Sequence, residues 1–140
     1  MNARFFIDTN VFVYSFDLSA PVKRMRAAKL IHKALESQQG VVSYQVAQEF
    51  FNLAFRRFTS PLSLSDAEQY IATVFQPLLR VHSSQTLFLD GMRLQHRYKI
   101  AWYDALIVAS ALQAQCGVLY SEDFQDGQQF EGLRVANPFV

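Results

Sequence analysis

The stretch that organises the sequence is Arg4-Phe5-Phe6-Ile7-Asp8, a short apolar run that stops at an acid. Such a run predicts a buried strand of a parallel sheet, because strands of this kind are apolar on both faces. Similar short runs occur at 41–42, 78–81 and 118–120, with a last one at 133–135 that we assign to the sheet edge. Longer stretches with helical periodicity separate them. This alternation predicts an α/β fold with a mainly parallel sheet.

The intervening helices are predicted at 22–35, 43–58, 65–75, 84–97 and 102–115. Ser43 is a candidate N-cap of the second helix, and Asp66 lies in the first turn of the third, where the helix dipole favours an anion. We expect Gly40 and Gly117 to end the first and the last helix, since glycine readily adopts the left-handed backbone found after a helix.

The composition excludes several classes of protein. A chain of 140 residues that is 51% hydrophobic can bury one substantial core, and no linker or repeat divides it, so we expect a single domain over 1–140. The one cysteine, Cys116, cannot form an internal disulfide, which favours a reducing compartment. No apolar run is long enough for a signal peptide or a membrane span, and we expect a cytoplasmic protein. G-x-S-x-G, Walker and G-x-G-x-x-G motifs are absent from the sequence.

The formal net charge of +1 hides an uneven distribution along the chain. Residues 1–60 carry eight basic and four acidic side chains, whereas residues 61–140 carry five basic and eight acidic ones. Much of the basic charge falls between the apolar positions of the helix predicted at 22–35. The total charge therefore does not argue against a nucleic-acid partner.

Four acids occupy positions that solvation does not explain: Asp8, Glu49, Asp104 and Asp123. Asp8 and Asp123 follow strands, and ligands of open α/β sheets bind outside the carboxyl ends of the strands. Clustered carboxylates without His or Cys favour Mg²⁺ or Mn²⁺. Structural roles stay open, since Asp8 suits a helix N-cap, Asp104 complements a helix dipole and Glu49 could reach solvent at a rim. Glu122 and Asp126 compete with Asp123 for the fourth position, with Asp126 as the nearest competitor.

Four segments together resemble the PIN domains of VapC-like toxins, the ribonucleases of bacterial type II toxin–antitoxin pairs. The segments are Phe6-Ile7-Asp8-Thr9-Asn10-Val11, Val42-Ser43-Tyr44-Gln45-Val46-Ala47-Gln48-Glu49-Phe50, Tyr103-Asp104-Ala105-Leu106-Ile107 and Tyr120-Ser121-Glu122-Asp123-Phe124. The resemblance implies a three-layer α/β/α sandwich and Mg²⁺- or Mn²⁺-dependent endonucleolytic cleavage of RNA. It also implies a cognate antitoxin that covers the acidic site, and a toxin homodimer.

The resemblance assigns roles to individual residues. The catalytic and metal-binding positions correspond to Asp8, Glu49, Asp104 and Asp123. The supporting polar residues correspond to Thr9, Asn10 and Ser121. An inactive PIN-like domain that binds RNA or a protein partner is the main alternative, and the presence of the central acids favours the enzyme.

Basic side chains on two predicted helices are candidate RNA contacts, because phosphate neutralisation dominates nucleic-acid affinity. The candidates are Lys23, Arg24, Arg26, Arg56 and Arg57. A solvated helix surface explains each of them equally simply. Another small α/β class, the phospho-acceptor receiver, is disfavoured because Asp8 lacks a paired acid and no lysine follows the last strand.

Overall fold

A computed structural model describes residues 3–140, so the first two residues of the predicted domain lie outside the described range. Six strands form one sheet. They are β1 (Phe5–Ile7), β2 (Gly40–Ser43), β3 (Leu79–Val81), β4 (Val118–Tyr120), β5 (Gln129–Phe130) and β6 (Leu133–Ala136). Their order across the sheet is β3-β2-β1-β4-β6-β5. Every neighbouring pair is parallel except β5 and β6, which run antiparallel.

Seven α-helices connect and cover these strands. They are α1 (Thr9–Tyr14), α2 (Pro21–Ser37), α3 (Tyr44–Arg56), α4 (Leu64–Tyr70), α5 (Gln76–Leu78), α6 (Gln85–Tyr98) and α7 (Trp102–Gln113). The helix α2 packs on β2, while α7 contacts β2 and β4 and is covered by α6. The predicted three-layer α/β/α sandwich is confirmed. None of the helices within residues 3–140 combines the length and the apolar content needed to cross a membrane.

The first strand lies at the centre of the sheet. Phe5 pairs with Gly40 on one side and with Val118 on the other. All three residues of β1 are buried, as the continuous apolar run predicts. Because β2, β1 and β4 are parallel neighbours, the residues that follow them emerge at one edge of the sheet.

Two helix ends differ from the sequence prediction. The left-handed residue after α2 is Gln38, with φ of 61°, and the one after α7 is Gln115, with φ of 60°. Gly40 is instead the first residue of β2, and Gly117 lies beyond the turn. The third predicted helix is also interrupted, since a π-helical turn over Ile71–Phe75 separates α4 from α5.

The predicted edge strand at 133–135 is in fact internal. This strand, β6, lies between β4 and β5, and β5 forms the edge. The hairpin joining β5 to β6 turns through Glu131 and Gly132, both with positive φ, which matches the twist of a tight hairpin. With only two residues, β5 is too short to show an apolar period.

An aromatic cluster fills the space between α1, α3 and the π-helical turn. Its centre is Phe50 of α3, which is fully buried. The rings around it are Phe12, Phe16, Phe51, Phe58, Tyr70 and Phe75. The abundance of phenylalanine in the sequence is thus largely explained by packing, and the cluster fixes α3 against α1.

Gly40 is predicted to be intolerant of a side chain because β2 passes close to α2 there. A Cβ on Gly40 would collide with the Ala34 methyl group and lie 2.9 Å from the Ala34 Cα. Gly40→Ala should therefore lower the free energy of unfolding by about 1–3 kcal/mol, measured by urea denaturation. Ala34→Gly alone should cost about 1 kcal/mol. The double variant should be more stable than the sum of the two losses predicts. Strictly additive losses would contradict the proposed collision.

Candidate active site

The end of β1 places Asp8 at the carboxyl edge of the sheet, beside the end of β4. The backbone N–H of Asp8 donates to the Tyr120 carbonyl at 3.0 Å, which continues the pairing of the two strands by one residue. Ser121 and the residues after it therefore emerge next to Asp8. This edge lies where the connections on either side of β1 diverge, the usual position of a binding crevice in such sheets.

Asp8 is a buried carboxylate that accepts two short hydrogen bonds. Its Oδ1 accepts from the Thr9 backbone N–H, and its Oδ2 accepts from the Ser121 hydroxyl, each at 2.7 Å. Burial raises the pKa of Asp8 to about 7, and the charges of Asp123 and Glu49 add to that rise, while the two hydrogen bonds oppose it. The ionised form is therefore costly unless a positive charge joins it.

Ser121 connects three parts of the site although its side chain is fully buried. Besides donating to Asp8, its oxygen accepts from the Asp123 backbone N–H at 3.0 Å and from the Asn10 amide at 3.4 Å. The side-chain Oδ1 of Asn10 in turn accepts from the Glu122 backbone N–H at 3.4 Å. The loop after β4 is thereby fastened to the start of α1.

Glu49 reaches the same place from α3. Helical spacing puts Gln45, Glu49 and Leu53 on one face of α3, next to the face that buries Phe50. The Thr9 hydroxyl donates to Glu49 Oε1 at 2.8 Å. Thr9 therefore contacts two of the predicted acids, Asp8 through its backbone and Glu49 through its side chain.

Asp104 and Asp123 complete the predicted set from α7 and from the loop after β4. Asp104 lies in the first turn of α7 and is partly exposed, and burial together with the charge of Asp123 raises its pKa. Asp123 is exposed, so it is the most solvated of the four.

One cavity of about 490 Å³ is lined by all four predicted acids. Two further carboxylates, those of Asp17 and Glu122, also line it, whereas none of its lining residues is basic. Within residues 3–140, however, no three His, Cys, Asp or Glu side chains converge closely enough to hold one ion between them. The carboxylates thus surround a common space without closing on a single point.

Lys23, predicted as an RNA contact, is found in an ion pair at the rim of this cavity. Its ammonium lies 2.6 Å from Glu122 Oε2, and the Tyr14 hydroxyl donates to Glu122 Oε1 at 2.8 Å. Although burial opposes ionisation, these contacts lower the pKa of Glu122. Lys23 donates to Glu122 and, at 3.2 Å, to the Tyr14 hydroxyl, and these two bonds raise the pKa of Lys23. Sequence reasoning missed this pair because its members are far apart in the chain.

The remaining predicted residues lie outside the acidic cavity. The exposed Asp126 accepts from the Asn137 backbone N–H at 2.8 Å and is absent from the cavity lining. Arg26 lines a separate groove. Arg24, Arg56 and Arg57 are exposed and line neither cavity.

Asp17, which lines the acidic cavity, was missed by sequence analysis, since it follows α1 in a turn where its carboxylate accepts from the backbone N–H and hydroxyl of Ser19.

The chemistry of the donors fits a hard divalent cation. Mg²⁺ and Mn²⁺ prefer carboxylate oxygens, and here a buried carboxylate lies in a cavity lined by other carboxylates and by no cationic side chain. Such an ion would supply the counter-charge that Asp8 lacks. The residues therefore fit the implied metal by donor type and charge.

Comparison with known proteins identifies the family. A family model described as PIN domain matches residues 5–125. A toxin–antitoxin complex from Klebsiella pneumoniae aligns with 97% of this chain and 98% of its own, at 22% identity and a TM-score of 0.67. VapC20 of Mycobacterium tuberculosis, described as a sarcin–ricin loop cleaving toxin, aligns with 85% of this chain and 89% of its own, at 18% identity and a TM-score of 0.59.

FitAcB from Neisseria gonorrhoeae aligns with 96% of this chain and 98% of its own, at 16% identity and a TM-score of 0.63. No curated protein matches the sequence. At these low identities, the likeness to solved structures establishes a shared fold.

Asp8→Asn is expected to stabilise the metal-free protein at neutral pH. Because the pKa of Asp8 is raised, the folded state favours the protonated carboxyl, and stability is lost as the pH rises from 3.8 to about 7. Between about pH 5 and pH 7 the free energy of unfolding should fall by on the order of 3 kcal/mol, at about 1.36 kcal/mol per pH unit. Asparagine keeps an oxygen for the Thr9 N–H and carries no charge.

Urea denaturation in chelator at several pH values measures this effect. The variant should lose less stability than the wild type as the pH rises, while Asp126→Asn, at an exposed acid outside the cavity, should follow the wild type. An unchanged pH dependence in Asp8→Asn would show that burial of this carboxyl carries no cost.

Proposed function

We propose that the chain, which belongs to the PIN-domain family, is a Mg²⁺- or Mn²⁺-dependent endoribonuclease and the toxin of a type II toxin–antitoxin pair. The observation that carries this proposal is the buried Asp8 carboxylate in a cavity lined by acids and by no basic side chain. A capping role alone would not require five more carboxylates around the same space. The toxin role is supported by the structural likeness to the Klebsiella complex and to VapC20.

Asp8, Asp104 and Asp123 are the proposed ligands of one metal position, and Glu49 is proposed to share a second position or to orient the attacking water. A bound Mg²⁺ or Mn²⁺ would acidify that water and neutralise charge on the phosphoryl oxygens. Thr9 and Ser121 act on the acids, since their hydrogen bonds fix the carboxylates of Glu49 and Asp8.

Hydrogen bonds from Thr9 and Ser121 limit how the acids can rearrange. Both oxygens of Asp8 already accept a bond, and each still has a free lone pair for a further ligand. Glu49 and Asp104 lie on helices, which gives them stable positions, whereas Asp123 lies on the loop held by Ser121. The two bonds to Asp8 therefore hold its side chain in place at the end of β1.

The proposed protein partners are a cognate antitoxin and a second copy of the chain, and the proposed location is the cytoplasm. Two groups of exposed apolar side chains offer surfaces for such partners. The first comprises Leu18, Val22 and Met25 at and before the start of α2, and the second comprises Phe88, Leu89 and Met92 on α6. Contiguous exposed apolar side chains of this kind are typical of interaction surfaces.

A PIN-like module that binds RNA or protein without cleaving it is the second candidate. It is favoured by one observation, that no three candidate ligands within residues 3–140 converge on a point. Cleavage assays distinguish the two functions directly.

Asp8→Asn and Asp123→Asn should each lower Mn²⁺-dependent cleavage of RNA by about a hundredfold or more, since they remove proposed metal ligands. Asp126→Asn is the matched control, because Asp126 is a neighbouring exposed acid outside the cavity. It should cleave at the wild-type rate. Gel analysis of a labelled RNA, in Mn²⁺ and in excess chelator, measures both effects.

Chelator should abolish cleavage, and added Mn²⁺ or Mg²⁺ should restore it. Wild-type binding of RNA without cleavage in either metal would favour the binding module. Equal activity of Asp123→Asn and the wild type, with loss in Asp126→Asn, would move the fourth acid to Asp126.

A further inference from the structure

A second cavity, which we call the α2 groove, lies between α2 and the last residues of the chain. Its volume is about 770 Å³. Its apolar lining comes from Leu30, Tyr120, Pro138 and Val140. Its basic lining comes from Arg26, Lys29, His32 and Lys33. A groove lined by both apolar and cationic side chains is suited to an anionic ligand that also has flat apolar groups.

The basic residues of the α2 groove form a stripe along α2. Arg26, Lys29 and Lys33 are spaced by three and four residues, which places them on one face of the helix. None of the three is in an ion pair within the described part of the chain. Arg26 donates one hydrogen bond to the Val140 backbone oxygen at 3.3 Å, and the Lys33 ammonium lies 5.6 Å from the centre of the Phe5 ring.

The one acid in the groove lining does not neutralise this stripe. Glu36 contacts His32 at 2.8 Å and forms no ion pair with Arg26, Lys29 or Lys33. Within residues 3–140, Lys29 and Lys33 therefore have no ion-pair partner and Arg26 has its bond to Val140, whereas the acidic cavity is lined by no cationic side chain.

The α2 groove and the acidic cavity have no lining residue in common, but one ring contact joins the residues around them. Tyr14 lines the acidic cavity, and its ring lies 4.8 Å from that of Phe139, which is flanked by the groove residues Pro138 and Val140. The Lys23 ammonium lies over both rings, 4.5 and 5.6 Å from their centres. Lys23 also begins the stripe, three residues before Arg26. The stripe therefore leads from the rim of the acidic cavity along α2 for about 15 Å, ten residues at 1.5 Å each.

We propose that the α2 groove binds the single-stranded RNA segment next to the phosphodiester bond held in the acidic cavity. This inference rests on the proposed function and names where that substrate continues. Arg26, Lys29 and Lys33 contact successive phosphates, and a base packs against Leu30, Tyr120 and Pro138. Single-stranded RNA fits both properties of the groove, since its phosphates need cations and its bases need flat apolar surfaces. An acidic peptide would match the charge, but the contact of Tyr14 and Lys23 with Phe139 places the groove next to the proposed catalytic cavity, which favours the substrate.

The test is RNA binding by fluorescence anisotropy in chelator, which prevents cleavage, with a labelled oligouridylate of about 12 nucleotides as the probe. The double variant Lys29→Ala with Lys33→Ala removes two exposed charges from the groove. The matched control, Arg80→Ala with Arg134→Ala, removes two exposed charges that line neither cavity. Alanine favours helices, so both Lys positions tolerate it, and thermal unfolding checks that each variant is folded.

At about 0.15 M salt, the Lys29→Ala, Lys33→Ala protein should bind the probe about tenfold more weakly than the wild type. The slope of log affinity against log salt concentration should be less steep by about 1.4, because each lost phosphate contact of a single strand removes about 0.7 from that slope. The control should stay within about twofold of the wild type. Equal weakening in the two double variants would overturn the proposal, because it would reflect total charge and not this groove.

Two further arms separate the possible failures. The first is binding of an oligoglutamate peptide of similar charge. If the wild type binds this peptide as tightly as the RNA, and the groove variant does not bind it, the groove takes an acidic peptide and the RNA proposal is overturned. Cleavage by the wild type in Mn²⁺ is measured in parallel. No cleavage contradicts the proposed function, whereas normal cleavage with unchanged RNA binding by the groove variant contradicts the groove alone.

Discussion

The structure depends on one constraint, the burial of the Asp8 carboxylate at the end of the central strand. Only 4% of Asp8 is exposed, and both of its oxygens accept hydrogen bonds from neighbouring elements. The Thr9 N–H ties it to the start of α1, and the Ser121 hydroxyl ties it to the end of β4. These bonds satisfy its polarity but do not neutralise its charge. The surrounding acids raise the free-energy cost of that charge, a cost that a bound cation would offset.

The small net charge of the protein is the sum of two separated regions. Six carboxylates line one cavity, while Arg26, Lys29 and Lys33 line the groove beside it. Lys23 lies between them, paired with Glu122 and covering the rings of Tyr14 and Phe139. An arrangement in which acids hold a cation and neighbouring bases hold phosphates is consistent with cleavage of a polyanion. Total charge alone gives no indication of it.

Much of the fold and of the site could be predicted from the sequence. The short apolar runs predicted all five parallel strands, although only β1 and β2 are buried along their whole length and the internal position of β6 was not anticipated. Asp8, Glu49 and Asp104 were recognisable because each interrupts an apolar segment. The helix ends could not be predicted from glycines, since Gln38 and Gln115 adopt the left-handed backbone instead. The ion pair between Lys23 and Glu122 could not be predicted from the sequence either, because its residues meet only when β4 lies beside β1 in the sheet.

The central claim is that the buried Asp8 carboxylate binds a divalent cation with its acidic neighbours. Titration of the metal-free protein with Mn²⁺, followed by calorimetry, tests this claim without reference to any RNA. The account predicts saturable binding to the wild type and to Asp126→Asn, and its loss in Asp8→Asn. Equal Mn²⁺ affinity in Asp8→Asn and the wild type would contradict it.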